Sequence, residues 1–226
     1  MNDKKPEAYK RGYQDFYGRD FEVTPNVLIP RPETEAIVDE VKLLAGRPYL
    51  SGMKVPVREL SEKPLILDVG TGSGCIAITL KLEIPEVKII GVDISEEALN
   101  VARNNADKLS AEVDFVHSDL LYNYCGEKPD VIVANLPYVD EEWEWLDKEA
   151  LNFEPRLALY AKKQGLELIF VLIKQVEGMW SGEHKDGKRW LILEADLCQH
   201  NKIVEFAAEH GFLHEKTNGY ALVFSR

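Results

Sequence analysis

Residues 65–74 read LILDVGTGSG, a short apolar run that leads into three glycines with the spacing Gly-x-Gly-x-Gly. The run at 65–69 has the length and apolar character of a strand that is buried on both faces. Glycines directly after such a strand let the backbone turn sharply and let a ligand approach main-chain N–H groups. The stretch therefore predicts a strand, a ligand-binding loop and a helix through Ile76, Ile78 and Leu80.

Short apolar runs and amphipathic segments alternate through the rest of the chain. Further strands are expected at 88–92, 113–116, 131–133 and 190–193. Helices are expected from Ser95, which opens a capping sequence, and over 164–179 and 199–210. Alternating strands and helices predict a parallel sheet that is covered by helices on both faces.

The C-terminal residues indicate how this sheet ends. Apolar runs at 212–214 and 221–224 flank Asn218-Gly219, which is a strong hairpin signal. With the five strands above, these two runs make seven. The expected fold is therefore an α/β, Rossmann-like seven-stranded sheet with a C-terminal antiparallel hairpin.

The N-terminal residues predict a smaller unit in front of this sheet. Residues that favour strands surround a glycine at 13–23 and indicate a β-hairpin, and a helix is expected over 33–44. We therefore expect an N-terminal β-hairpin and helix over 1–46, a connecting segment over 47–63 and the main domain over 64–226.

The composition argues against several classes of function. The 226 residues include 27 basic and 39 acidic side chains, a formal net charge of −12. General nucleic-acid binders gain affinity by neutralising phosphates, so this excess of acid makes nucleic acid an unfavoured partner and a basic protein a better one. No run approaches the ~18 apolar residues of a membrane span, and the N-terminus has no signal-peptide pattern. We expect a cytoplasmic protein that does not bind membranes.

The cysteines and histidines do not form a recognisable disulfide or metal pattern. Cys75, Cys125 and Cys198 are widely spaced and odd in number, which fits a reducing compartment. His210 and His214 are four residues apart, but the glycine between them indicates a helix end and not a metal-binding face. No metal site is predicted.

Asp93 adds a second element to the glycine loop at 70–74. It ends the strand that follows, about twenty residues after the loop, where an acid can accept hydrogen bonds from both hydroxyls of a ribose. A dinucleotide dehydrogenase has such an acid too, and glycines and acids at strand ends can also serve only as turns and caps. A ribose-containing ligand is thus indicated without being identified.

Asp68 to Gly74 together with Asp93 resemble the nucleotide-binding half of the class I S-adenosylmethionine-dependent methyltransferases. In that family the segment after the third strand contacts adenine, and Asp119 and Leu120 stand at this place. Taken alone, Asp119 could equally be a helix cap. The resemblance implies that S-adenosylmethionine is the cofactor, that S-adenosylhomocysteine is the product, and that the following residues bind them: Gly70, Thr71, Gly72, Ser73, Gly74, Asp93, Asp119, Leu120 and Asn135.

The segment that ends the fourth predicted strand, Ala134-Asn135-Leu136-Pro137-Tyr138, has the residue types needed to methylate a planar nitrogen. Such a nitrogen is a poor nucleophile because its lone pair is delocalised. The side-chain carbonyl of Asn135 and the backbone carbonyl of Leu136 could each accept one N–H bond, which favours positive charge on the nitrogen during transfer. Pro137 would restrict the loop and Tyr138 would offer a ring face. A simple turn after a strand is the alternative.

This segment resembles the (Asn/Asp/Ser)-Pro-Pro-Tyr motif of methyltransferases that act on amide or exocyclic amine nitrogens, with Leu136 in place of a proline. Asn-Leu-Pro-Tyr also occurs in ribosomal-RNA adenine dimethylases, so the motif leaves the substrate open. The resemblance implies that Asn135, Pro137 and Tyr138 are catalytic and that Asn135, Leu136, Pro137 and Tyr138 bind the substrate.

Two other segments, VLIPRPETE at 27–35 and NFEPRLAL at 152–159, resemble the HemK/PrmC glutamine N5-methyltransferases. These enzymes modify the Gly-Gly-Gln glutamine of peptide chain release factors, and a sister group modifies a ribosomal protein. The resemblance implies a release factor as substrate. Arg31 and the Glu154-Pro155-Arg156 segment are alternatively braces for the reaction segment, and Trp143 and Trp145 either cover the target pocket or pack beneath a loop.

The chain departs from this family in ways that leave the substrate open. Bacterial members carry a helical N-terminal domain that helps to bind the release factor, whereas only a dozen residues precede the predicted hairpin here. A possible accessory subunit would replace that domain. The alternatives are a ribosomal-protein glutamine and an exocyclic amine of RNA or DNA, against which the acidic composition counts.

Overall fold

Within the residues that the structure describes, 5–48, 58–144, 146–182 and 187–226, this computed structural model has nine strands and eight α-helices. The strands are β1 (Tyr13–Phe16), β2 (Arg19–Glu22), β3 (Leu65–Val69), β4 (Lys88–Asp93), β5 (Asp114–His117), β6 (Val131–Ala134), β7 (Trp190–Glu194), β8 (Leu213–Asn218) and β9 (Ala221–Ser225). The helices are α1 (Glu7–Arg11), α2 (Glu35–Leu44), α3 (Cys75–Glu83), α4 (Glu96–Leu109), α5 (Lys148–Leu151), α6 (Arg156–Leu159), α7 (Glu167–Met179) and α8 (His200–Glu209). Most of the predicted connection at 47–63, and Trp145, lie outside the described residues.

Seven strands form one sheet in the order β5-β4-β3-β6-β7-β9-β8. Strands β3 to β7 are parallel, and β8 and β9 are antiparallel to their neighbours. Strands β3, β6 and β7 are buried along their whole length, which explains why their sequences are almost entirely apolar. Because parallel strands end at the same edge, the residues that follow β3, β4 and β6 meet there.

The N-terminal hairpin and α2 share the core of the sheet. Phe16 and Phe21 are fully buried, and their ring centroids lie 6.0 Å apart at an interplanar angle of 80°. Ile37 and Val41 on α2 belong to the same apolar cluster as Ile66 on β3. Complete burial of such a side chain stabilises the fold by roughly 1.5–3 kcal/mol. This packing holds the beginning of α2 beside the carboxyl edge of the sheet.

The opposite face of the sheet is covered by α7 and α8. Leu172 and Ile173 on α7 and Ile203 on α8 are fully buried in a second apolar cluster with β6 and β7. The indole of Trp180, just after α7, donates a hydrogen bond of 3.1 Å to the carbonyl of Pro129. None of the helices in the described ranges is long and apolar enough to span a membrane.

The seven-stranded sheet, the C-terminal hairpin and the N-terminal hairpin with its helix are confirmed. The first strand of the C-terminal hairpin is longer than the predicted 212–214, because β8 continues to Asn218. Its later residues are polar and lie at an exposed sheet edge, where polar side chains are tolerated. Helix α1 is not expected from the sequence, since five residues are too few to show a periodicity.

Backbone geometry moves the beginning of two predicted helices. The helix predicted at 164–179 begins at Glu167, because Lys163, Gln164 and Gly165 have left-handed φ angles of 56°, 61° and 78°. The helix predicted at 33–44 begins with a 3-10 turn at Pro32–Thr34 and becomes α-helical at Glu35. The strand predicted at 113–116 is shifted by one residue.

Candidate functional site

A cleft opens at the carboxyl edge of the sheet, between the ends of β3, β4 and β6. Its empty space, open mouth included, is about 1120 Å³, enough for a cofactor and an inserted side chain. Ten of the predicted site residues line it: Gly70, Thr71, Gly72, Ser73, Asp93, Asp119, Leu120, Asn135, Leu136 and Pro137. Gly74 and Tyr138 are not among the lining residues.

The glycine loop at 70–74 leaves β3 with a backbone that other residues rarely adopt. Gly70 and Gly72 have φ angles of 74° and 55°. A Cβ added to Gly72 would meet no atom within 4 Å, so the loop borders open space in the cleft. Gly74 has a φ of 79° and caps α3, where a Cβ would lie 3.2 Å from Ala102. The loop thus presents backbone to the cleft at Gly72, whereas Gly74 serves the packing of α3.

Asp68 supports the glycine loop from below. Its carboxyl is completely buried and accepts a hydrogen bond of 2.6 Å from the hydroxyl of Thr71. Burial, with a smaller contribution from the charge of Asp93, raises the pKa of Asp68 to about 7, although the hydrogen bond from the Thr71 hydroxyl opposes this rise. Asp68 does not line the cleft, so its role is to hold the loop.

Asp93 is held rigidly at the end of β4. Its two carboxyl oxygens accept hydrogen bonds of 2.9 Å from the backbone N–H groups of Gly72 and Ser95. Each oxygen keeps a second lone pair, and the side chain lines the cleft. Burial raises the pKa of Asp93, and the backbone N–H groups oppose that rise. The arrangement suits an acceptor of two adjacent hydroxyl groups.

The segment after β5 contributes one exposed acid and one strained apolar residue. Asp119 is exposed at the cleft. Leu120 is buried, lines the cleft and has a left-handed φ of 48°, a conformation that costs a non-glycine residue about 1–3 kcal/mol. An apolar residue and an acid thus lie next to each other in the lining of the cleft.

The reaction loop, residues 134–138, begins at the last residue of β6 and lies on the other side of the cleft. The Asn135 amide nitrogen Nδ2 donates a hydrogen bond of 3.0 Å to the hydroxyl of Thr34. Leu136 is buried, and its Cδ2 atom lies 3.0 Å from the position that a Cβ on Gly70 would take. The leucine therefore packs against the glycine loop and joins the two halves of the cleft.

Tyr138 is an anchor of the reaction loop. Its hydroxyl donates a hydrogen bond of 3.3 Å to Glu194, and its carbonyl accepts one of 2.8 Å from the side chain of Gln199. Burial, followed by the charge of Glu194, raises the pKa of the phenol above its ordinary value. The predicted contact between the Tyr138 ring and the target group stays a prediction, because this side chain lies outside the cleft lining.

Three residues that support the reaction loop are absent from the sequence-based prediction: Thr34, Glu194 and Gln199. Glu194 is only 2% exposed and ends β7, as Asp93 ends β4, so an acid at the end of an apolar strand is the signal that could have identified it. Gln199 bridges the carbonyls of Tyr138 and Gln164 at 2.8 Å each. Thr34 and Gln199 carry no comparable signal.

Arg31 and Glu154 brace the loop in front of the cleft. The guanidinium of Arg31 pairs with Oε1 of Glu154, and Oε2 of Glu154 accepts the backbone N–H of Ile29 at 3.1 Å. Arg31 lines the cleft as well. Glu35 also has a structural contact, since it accepts the backbone N–H of Tyr17 at 2.7 Å.

The side chains at this site do not favour a cysteine nucleophile or a bound metal ion. Cys75 lines the cleft, but burial raises its pKa to about 12, so its thiol is not a ready nucleophile. In the described part of the chain, no three His, Cys, Asp or Glu side chains converge as a metal site would need. The polar groups that remain in the cleft are hydrogen-bond acceptors and donors for a ligand.

Comparison with known proteins agrees with this geometry. The family model for the methyltransferase small domain matches residues 51–151. A release factor glutamine methyltransferase of Koribacter versatilis is 43% identical over 192 residues, which cover 84% of this chain and 62% of that protein. One of Enterococcus faecalis is 39% identical over 182 residues, which cover 80% and 60%. The chain belongs to the HemK/PrmC methyltransferase family. It spans about three fifths of the length of these relatives.

The class I methyltransferase fold of this HemK/PrmC chain is found in solved structures of lower identity. A methyltransferase from Pyrococcus furiosus superposes with a TM-score of 0.61 at 20% identity, over 93% of this chain and 90% of that one. A ribosomal protein L11 methylase from Lactobacillus delbrueckii superposes with a TM-score of 0.56 at 22% identity, over 94% and 88%. At these identities the likeness concerns the fold.

Proposed function

We propose that this HemK/PrmC chain transfers a methyl group from S-adenosylmethionine to the N5 amide nitrogen of a protein glutamine, and that the glutamine is that of the Gly-Gly-Gln sequence in a peptide chain release factor. The observation that carries the proposal is the convergence of the glycine loop and Asp93 with Asn135 and Leu136 in one cleft. The names of relatives that are 39–43% identical support the choice of glutamine.

The residues on the β4 and β5 side of the cleft fit the nucleoside part of the cofactor. Gly72 leaves open space that a Cβ would occupy, and Asp93 has lone pairs for two ribose hydroxyls. Asp119 and Leu120 both line the cleft. In the proposed complex Asp119 accepts from the adenine amine, and Leu120 packs against the adenine ring. When bound, S-adenosylmethionine supplies an electrophilic methyl group on a sulfonium.

Asn135 and Leu136 supply the polar contacts for the target nitrogen. Two carbonyl oxygens, one from the Asn135 side chain and one from the Leu136 backbone, accept the two N–H bonds of the amide. These bonds orient the nitrogen and stabilise the positive charge that develops on it. The methylated nitrogen then loses one proton to water, which is easy once it carries that charge, so no strong base is needed.

The charge of the segment that follows the reaction loop in the sequence favours a protein partner. Between 140 and 149 the chain has six acidic residues and one lysine, next to the reaction loop. An acidic segment repels the phosphates of RNA and DNA and attracts a basic protein segment. Release factors act in translation, so we propose a cytoplasmic reaction. We also propose that an accessory subunit contributes contacts to the protein substrate, in place of the part of the relatives that this chain does not match.

Methyl transfer can be tested directly on defined substrates. The protein is incubated with radiolabelled S-adenosylmethionine and a recombinant release factor, with a ribosomal protein fraction and with total RNA. We expect label on the Gly-Gly-Gln glutamine, located by mass spectrometry, and no label when that glutamine is replaced by alanine. Label on RNA alone, or on a protein other than the release factor, would contradict the proposal.

Replacing Asp93 should specifically weaken the binding of the cofactor. In Asp93→Asn one carboxyl oxygen becomes an NH2 group, so the side chain can no longer accept from two backbone N–H groups and two ribose hydroxyls. We expect the Kd for S-adenosylmethionine to rise about 10- to 100-fold, the loss of one or two charge-assisted hydrogen bonds. Titration calorimetry gives the Kd. Asp114→Asn, at an exposed position of β5, serves as control, and equal Kd values for the two variants would refute the role of Asp93.

A further inference from the structure

Thr34 lies directly behind the Asn135 amide. Its hydroxyl oxygen is 3.0 Å from Asn135 Nδ2, although the two residues are 101 positions apart in the sequence. Thr34 is only 2% exposed and ends the 3-10 turn that leads into α2. The packing of α2 on the sheet therefore brings a hydroxyl from the N-terminal segment to the reaction loop.

The hydroxyl proton of Thr34 also needs an acceptor. Because the oxygen accepts from Asn135, its proton needs another acceptor. Oε2 of Glu194 is buried and has no hydrogen-bond partner among the described residues, so it is the acceptor that this proton would satisfy. The Tyr138 hydroxyl donates to Oε1 of the same carboxyl at 3.3 Å, and the Thr34 hydroxyl and the Asn135 amide also stabilise its ionised form. In this arrangement protons would run from Asn135 to Thr34 and from Thr34 to Glu194.

The carboxylate gives this chain of hydrogen bonds its direction. An ionised carboxylate only accepts, so Thr34 must point its proton to Glu194 and is left with a lone pair for an N–H group. If the Asn135 amide were flipped, its oxygen would face the oxygen of Thr34 and take that proton away from a buried charge, which is costly. Asn135 lines the cleft, so the amide oxygen Oδ1 is the atom that remains for a ligand.

We propose that Thr34 and Glu194 are positioning residues that hold Asn135 with its side-chain carbonyl oxygen directed into the cleft. This inference rests on the proposed function, since there the oxygen accepts an N–H of the target amide. Without the pair, Asn135 could turn an NH2 group toward the target nitrogen, two donors would face each other, and the nitrogen would lose its alignment with the methyl group.

The protonation of Glu194 gives the arrangement a pH dependence. Burial, with a smaller contribution from the charge of Glu33, raises the pKa of Glu194 to about 7. The other ionisable side chains that face it, Tyr138 and Cys75, keep their protons in this range because burial raises their pKa values as well. A protonated Glu194 can donate to Thr34 and permit the reversed arrangement. Turnover should therefore rise with pH around neutrality.

Thr34→Val keeps the shape of the side chain and removes the hydroxyl. We expect kcat to fall about 10- to 100-fold, a loss of the size that misalignment causes, while the Kd for S-adenosylmethionine stays within about twofold. Thr34→Ser restores the hydroxyl and should recover most of kcat. Thr79→Val is the matched control, because Thr79 is also fully buried, lies on α3 and has no hydrogen-bond partner for its hydroxyl among the residues that the structure describes.

Glu194→Gln tests the direction of the hydrogen bonds from Asn135 through Thr34 to Glu194. A glutamine amide can donate as well as accept, so kcat should fall and its rise with pH around neutrality should disappear. The inference is overturned if Thr34→Val behaves like Thr79→Val, if Thr34→Ser is as impaired as Thr34→Val, or if Glu194→Gln keeps the pH profile of the unchanged protein.

A second readout does not require any substrate. In protein labelled with ¹⁵N-asparagine, the side-chain NH2 resonances of Asn135 are identified by their absence in Asn135→Ala. Thr34→Val should shift them and speed their exchange with water, and Thr79→Val should leave them unchanged. If the shift occurs but no glutamine is methylated, the proposed function fails and the positioning stands. If no shift occurs, the positioning fails whatever the substrate is.

Discussion

Asn135→Ala is expected to lose nearly all turnover and to keep its affinity for S-adenosylmethionine. The side-chain carbonyl is one of two acceptors for the target nitrogen, and removing one such preorganised group typically lowers kcat by about 10²–10³-fold. The cofactor contacts of Asp93 and of the glycine loop do not pass through this side chain. The Kd should stay within about twofold in a calorimetric titration.

The matched control for this variant is Asn201→Ala, an exposed asparagine on α8. It should have the kcat and the Kd of the unchanged protein. An Asn135→Ala variant that loses cofactor affinity and turnover to the same degree would show that Asn135 mainly supports the cofactor, and the role given to it in orienting the nitrogen would then be wrong.

Gly165→Ala is expected to cause the largest loss of stability of the variants considered. A Cβ on Gly165 would lie 1.9 Å from the carbonyl oxygen of Tyr138 and 2.5 Å from the Nε2 atom of Gln199. Backbone of the reaction loop must move to relieve this contact, which also breaks the bond from Gln199 to Tyr138. We expect a loss of about 3 kcal/mol or more in the free energy of unfolding, and a strong fall in kcat because the loop is displaced.

Gly12→Ala separates the steric clash from backbone strain. Gly12 has a φ of 81°, close to the 78° of Gly165, but a Cβ there would meet no atom within 4 Å. This control should lose only the roughly 1–2 kcal/mol that a left-handed alanine costs. Urea denaturation followed by circular dichroism measures both variants. Equal losses would mean that the clash is relieved cheaply and that Gly165 does not hold the reaction loop.

The N-terminal segment contributes to the site and not only to the core. Arg31 pairs with Glu154 in front of the cleft, and Thr34 bonds to Asn135 behind it. Both residues lie beside the first turn of α2. A change that displaces this helix, such as a smaller side chain at Ile37 in the core, should therefore disturb the reaction loop as well as the fold.

The cofactor half of the site is predictable from short-range patterns. The signals for this half are local in the sequence: the apolar run at 65–69, the glycines after it and Asp93 at the end of the next strand. Each depends only on the burial of one strand or on the sharp turn that follows it. The sheet places their ends together by topology. The predicted bounds of β3 and β4 therefore agree with the structure to within one residue. The predicted length of β8 is too short, because its polar residues give no apolar signal.

The reaction half depends more on the tertiary structure. The motif at 134–138 marks the loop, yet it does not show that the Tyr138 hydroxyl bonds to Glu194 or that the Tyr138 backbone carbonyl bonds to Gln199. These partners lie 56 and 61 positions away along the chain. No periodicity or spacing encodes which of two side chains so far apart will meet.

The seven-stranded sheet, the glycine loop with Asp93 and the reaction loop at the sheet edge could be predicted from the sequence, because the burial of a strand and the chemistry of a turn depend on neighbouring residues. The placement of Thr34 and Glu194 behind Asn135 and the packing of Leu136 on Gly70 could not, since they join residues that are far apart in the chain. These contacts arise where α2 and β7 pack around the end of β6. Their physical origin is the shape of the folded core, in which buried polar groups must find partners wherever the chain brings them.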